Sequence, residues 1–152
     1  MGKMVLRGSC LCGAVRFTVS DLPAQFGICH CETCRRWTGS AMIAVTVPTA
    51  NIDWTGTAHI RRAQTSGWAE RAWCDECGSN LFYRMTADDQ TDTEMPLGLF
   101  DDANGFRLVN EIFIDHKPDS YAFEGSDRTL MTRQDCIARF GALNTDPENQ
   151  AG

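Results

Sequence analysis

The run Cys29-His30-Cys31-Glu32-Thr33-Cys34 places three thiols within six residues. A turn after Cys31 returns Cys34 to the same side of the backbone, so three sulfurs meet at one point. Thiolates are soft, charged ligands, and three of them around a divalent ion of the zinc type leave one tetrahedral position open for chemistry. A purely structural ion, completed by water, His30 or a remote ligand, is the other reading of the same cluster. His30 lies between two ligands, which makes it either an exposed bystander or a proton carrier. Arg35 and Arg36 follow directly. They form a solvated face or a fork for a carboxylate, and Trp37 beside them is either core or a shelf for substrate. Arg61, Arg62 and Arg71 are further possible anion contacts, among which position alone does not choose.

Two more close pairs stand elsewhere, Cys10-Leu11-Cys12-Gly13 and Cys74-Asp75-Glu76-Cys77-Gly78. Two pairs make a closed four-sulfur site that ties the start of the chain to its middle across roughly sixty residues of loop. Unrelated thiols or a redox CxxC are the alternatives. Cys136 is solitary and reads as a buried, inert thiol.

These sulfurs need rigid elements to hold them. Val15, Phe17 and Val19 alternate with Arg16, Thr18 and Ser20, which predicts a strand over Ala14 to Val19. Phe26 to Ile28 is a short apolar approach to the central cluster, and Cys31 to Trp37 can close a helical turn stopped by Gly39. Ala41 to Val47 predicts a strand buried on both faces. Ile52 to Trp54, Ala58 to Thr65 and Ala69 to Trp73 predict further short strands, and another leaves the Cys77-Gly78 knuckle. Asp88 to Glu94 reads as a polar loop, Met95 to Phe100 and Glu111 to Ile114 as strands, and Arg128 to Phe140 as a helix with Gly141 behind it.

A chain of 152 residues, 43% hydrophobic, suits one domain over residues 1–143 with a polar tail at 144–152. The formal charge of -6 argues against coating nucleic acid or an anionic membrane. No apolar run suggests a leader or a membrane span, so the expected location is the cytoplasm. There, closely spaced cysteines are metal ligands rather than disulfides. Oligomeric state leaves no mark in the sequence.

Taken together, CxCG near the start, CHCxxCRRWTGSA in the middle, CDECGSxLFYR later, and the GLFDD and EIFIDHKPDSY segments resemble the glutathione-dependent formaldehyde-activating family, which includes the centromere protein V-like proteins. The resemblance runs from about Gly8 to Gly125. It implies a mainly β, Mss4-like (beta-tent) fold of antiparallel sheets around a structural zinc, with a short C-terminal helix here. It also implies a carbon-sulfur lyase that reversibly joins glutathione and formaldehyde. Carried over by position, Cys10, Cys12, Cys74 and Cys77 are structural zinc ligands, and Cys29, Cys31 and Cys34 are catalytic ones. Family members often have histidine where Glu111 stands, and tryptophan where Asp119 stands in the segment Lys117 to Tyr121, which lies where substrate can be read. The expectation is a zinc enzyme acting on an adduct of a small thiol, such as glutathione, with an aldehyde. The alternative is a non-catalytic, zinc-stabilised binding module.

Overall fold

The structure is a computed structural model that describes residues 5–140. The expected stop at Gly141 and the tail at 144–152 lie outside these residues. Among the described residues there are eleven strands, two short helices and four single 3-10 turns. They divide into two compact units, one made of the chain up to Ala24 with Ala44–Phe106, the other of Gln25–Ile43 with the chain from Arg107 onward.

In the first unit, β1 (Val5–Ser9), β2 (Arg16–Ser20) and β5 (Ile52–Thr55) form an antiparallel sheet in the order β1-β2-β5. The alternation read in the sequence is the one observed, since Val15, Phe17 and Val19 are buried. Phe17 meets Phe100 and Trp54 edge-on at 5.2 and 5.6 Å between ring centroids. Each such buried apolar side chain contributes roughly 1.5–3 kcal/mol. A second group of antiparallel strands runs β4 (Met42–Pro48), β9 (Asp92–Pro96), β8 (Asn80–Met85), β7 (Ala69–Cys74) and β6 (Ile60–Gln64). From Met42 to Val47 only Thr46 is exposed on β4, as its two apolar faces require.

In the second unit, β3 (Gln25–Cys29) and β11 (Thr129–Met131) flank β10 (Arg107–Ile112), and both pairings are parallel. This corrects the expectation of purely antiparallel sheets. Strands so far apart in the chain have no hairpin to force them antiparallel. Helix α1 covers Glu32–Thr38 and stops at Gly39, whose φ of 85° is left-handed. Helix α2 covers Arg133–Phe140.

Several boundaries differ from expectation. The loop predicted at Asp88 to Glu94 holds the first half of β9, and Leu97–Leu99 is a 3-10 turn rather than strand. The helix predicted from Arg128 begins only at Arg133, because residues 129–131 pair with β10. Strand β1 was not anticipated, since Val5 to Ser9 lacks a clear alternation.

Candidate functional site

The first unit assembles the four-sulfur group from two knuckles. The Cys10 Sγ and Cys12 Sγ atoms lie 3.6 Å apart, and Cys12 Sγ is 3.9 Å from Cys74 Sγ. A tetrahedral ion with bonds of 2.3 Å to sulfur needs edges of roughly 3.8 Å. With Cys77, all four sulfurs lie within 4.8 Å of one another. Backbone amides support them, Val15 N–H on Cys10 Sγ at 3.3 Å and Ala14 N–H on Cys12 Sγ at 3.5 Å. The second knuckle turns through Gly78, at φ 79°, whose N–H reaches Cys74 O at 2.8 Å. The Ser79 hydroxyl lies 3.3 Å from Cys77 Sγ, and its hydrogen bond does most to pull that thiol down to about 5. The Ala14 amide favours the Cys12 thiolate, but burial and the three neighbouring sulfurs push that thiol up to about 12. Sulfurs that share protons in this way offer a dication the size and charge it needs.

The second unit presents Cys29, Cys31 and Cys34, also within 4.8 Å of one another. Cys29 ends β3, Cys31 caps α1 and Cys34 lies in its first turn, where its N–H reaches Cys31 Sγ at 3.4 Å. Hydrogen bonds from Cys29 and Cys34, with a smaller one from Thr33, bring Cys31 down to about 2. The same partnership with Cys31 and Cys34 raises Cys29 well above an ordinary thiol. No fourth cysteine, histidine or carboxylate joins this group among the described residues.

His30 is not exposed. Its side chain is wholly buried, and its Nε2–H donates to Glu111 Oε1 at 2.7 Å. Glu111 in turn accepts from Arg128 Nε at 2.6 Å. Burial alone would raise the Glu111 carboxyl, but the hydrogen bonds from His30 and Arg128 outweigh it and hold it below the usual range. His30 Nδ1 is buried and has no hydrogen-bond partner among the described residues. Glu111 and Arg128 complete this network, and the sequence reading gave neither of them a place in the site. The signal available was a lone carboxylate in the apolar run of EIFI.

Arg35 and Arg36 line a cavity of about 470 Å³ with Gly39, Ser40, Pro118, Ser120 and Tyr121. Arg36 is held by Glu32 at 3.0 Å, whereas Arg35 approaches the same carboxylate only to 4.0 Å. Arg35 is the cation with more to offer a ligand. Trp37 is half-buried and is not part of the lining. Arg61 and Arg62 are exposed on β6 near Asp75 and Glu70, and Arg71 is buried with its guanidinium 4.7 Å from the Tyr83 ring centroid. Those three belong to the first unit rather than to the three-cysteine unit. Cys136 is fully buried, and burial raises its thiol, as expected of an inert one.

The sequence profile of the glutathione-dependent formaldehyde-activating enzyme matches residues 5–116, and every one of the seven clustered cysteines lies inside that span. The chain belongs to this family. An uncharacterized lyase of Schizosaccharomyces pombe is 29% identical over 132 residues, which cover 87% of this chain and 93% of that protein. A Halomonas elongata protein, provisionally named a glutathione-dependent formaldehyde-activating enzyme, is 36% identical over 87 residues, 52% of this chain and 55% of its own. The lyase reading of the sequence stands on that membership and these names. The crystal structure of a Rhodobacter sphaeroides protein, a structural genomics target, aligns over 68% of this chain and all of its own with a TM-score of 0.54 at 22% identity. That likeness concerns the fold alone. No helix among the described residues is long and apolar enough to cross a membrane.

Proposed function

We propose that this chain is a zinc-dependent carbon-sulfur lyase that joins a carboxylate-bearing thiol such as glutathione reversibly to formaldehyde, on an Mss4-like scaffold in the cytoplasm. The observation that carries the reading is the convergence of Cys29, Cys31 and Cys34 without a fourth donor. Cys10, Cys12, Cys74 and Cys77 would hold a structural zinc. Bound at the three-cysteine set, a second zinc supplies a soft cation that favours the thiolate form of a substrate thiol.

In the forward direction the thiol sulfur bonds to the aldehyde carbon, the carbon-oxygen π bond opens, and the thiol proton ends on that oxygen. Glu111 occupies the Nε2–H of His30, so Nδ1 is the ring nitrogen left to pass a proton. Arg35 neutralises a substrate carboxylate, with Arg36, Ser40 and Ser120 beside it. The reach is right: Arg35 follows Cys31 by four residues, about 6 Å along the helix axis, and a tripeptide spans at most about 10 Å. Trp37 remains a candidate wall of the bound thiol's path.

The test compares two variants with the wild type. Cys31→Ser should lose one of two bound zincs together with turnover. Arg35→Ala should raise KM for glutathione about 10- to 100-fold, as befits one lost charge-assisted hydrogen bond, and leave an uncharged thiol unaffected. Turnover and zinc content that survive Cys31→Ser would end this reading.

A further inference from the structure

Each of the three guanidinium nitrogens of Arg128 donates a hydrogen bond, one to the buried Glu111 and two to backbone carbonyls. Nε donates to Glu111 Oε2 at 2.6 Å, Nη2 to Phe123 O at 2.8 Å and Nη1 to Glu124 O at 3.0 Å. Glu111 turns its other oxygen to His30, whose backbone N–H is fixed on Ile112 O at 3.1 Å. The side chains of His30, Glu111 and Arg128 are 0, 3 and 7% exposed. Such groups are held in one arrangement, because any displacement strips a buried charge of its partner.

This network has two ends. One is His30, covalently joined to Cys29 and Cys31. The other is the segment reaching Phe123 and Glu124, whose Ser120 and Tyr121 line the cavity of Arg35. Ring contacts run the same way, Tyr121 to Phe123 at 6.1 Å and Phe123 to His30 at 6.0 Å. Lys117 closes the segment on itself by donating to the Pro118 and Tyr121 carbonyls.

We propose that Glu111 and Arg128 are positioning residues that hold the Ser120 and Tyr121 wall of the cavity at a fixed place relative to the cysteine cluster and Arg35, and so select thiols whose carboxylate stands at a fixed distance from the sulfur. Neither residue touches substrate. The proposal rests on the carboxylate-thiol reading given above, and it adds a specificity device built from groups outside both ends.

The test is a double-mutant cycle read by binding rather than turnover. Full-length wild type, Arg128→Lys, Arg35→Ala and the double variant are loaded with cobalt, and the sulfur-to-cobalt bands are followed during titration with glutathione and with 2-mercaptoethanol. Arg128→Lys should lower the preference for glutathione about tenfold while keeping the affinity for 2-mercaptoethanol and the cobalt content. Residues that act through a shared partner are non-additive, so in the Arg35→Ala background the same change should not lower the preference further. A variant that weakens both thiols equally, or lowers the preference as much without Arg35, overturns the proposal. If Arg128→Lys does not fold, Glu111→Gln enters the same cycle. Binding shifts as described without turnover on formaldehyde would sink the lyase reading and leave the proposal standing. A wild-type spectrum indifferent to every thiol would overturn both.

Discussion

Glu94 shows what one half-buried carboxyl does to this molecule. It accepts from Thr46 Oγ1 at 2.7 Å, and burial, reinforced by Asp92 nearby, pushes it up to about 7. A carboxyl raised in the folded state binds its proton more tightly there than in the unfolded chain. Its favourable contribution is therefore complete below the ordinary carboxylate range and is lost as pH rises through about 7. Glu94→Gln should match the wild type in stability at pH 4 and exceed it at pH 8, as measured by denaturant unfolding. Equal stability at both pH values would contradict the burial argument. At this scale the cysteines were the most legible residues, because metal-ligand spacing is local and survives in sequence. Glu111 was not, since its partner His30 lies 81 positions away and no local pattern records that pairing.

Helix α1 was legible at both ends: Cys31 caps it and Gly39 stops it, and each signal sits within one turn of its effect. The start of α2 was misread for a physical reason. Leu130 suits a helical face by type, yet it is 55% exposed on β11, and the helix is opened by reciprocal bonds between Thr132 and Asp135. The turn after β5 gives a test of how elements support the four-sulfur group. Gly56 has φ 76°, and a Cβ there would lie 1.8 Å from the carbonyl oxygen of Ala14, whose own N–H bonds Cys12 Sγ. Gly56→Ala should cost about 2 kcal/mol or more through strain at a left-handed position. It should also weaken zinc retention by the first unit in a chelator competition. A variant with unchanged stability and zinc affinity would show that this turn does not hold the knuckle.

For the whole molecule, the sequence indicated a mainly β chain with two sulfur groups, and alternation placed most strands near their positions. It did not indicate that the chain leaves one compact unit at Ala24 and returns to it at Ala44, since the residues at those crossings carry no composition break. Zinc binding to a folded site is itself folding free energy, on the order of 10 kcal/mol in small zinc-dependent folds. Stripping both metals with a strong chelator should lower the melting temperature, and restoring zinc at two equivalents per chain should recover it. An unchanged melting temperature would mean that the packed strands need no metal. The parallel pairing of β3 with β10 has a consequence during synthesis. Gln25 meets Arg107, so Cys29, Cys31 and Cys34 leave the ribosome about eighty residues before β10 exists. At 5–20 residues per second that delay lasts roughly 4–16 s. For that interval the newborn chain carries three closely spaced thiols at the end of a strand that still lacks one of its two neighbours.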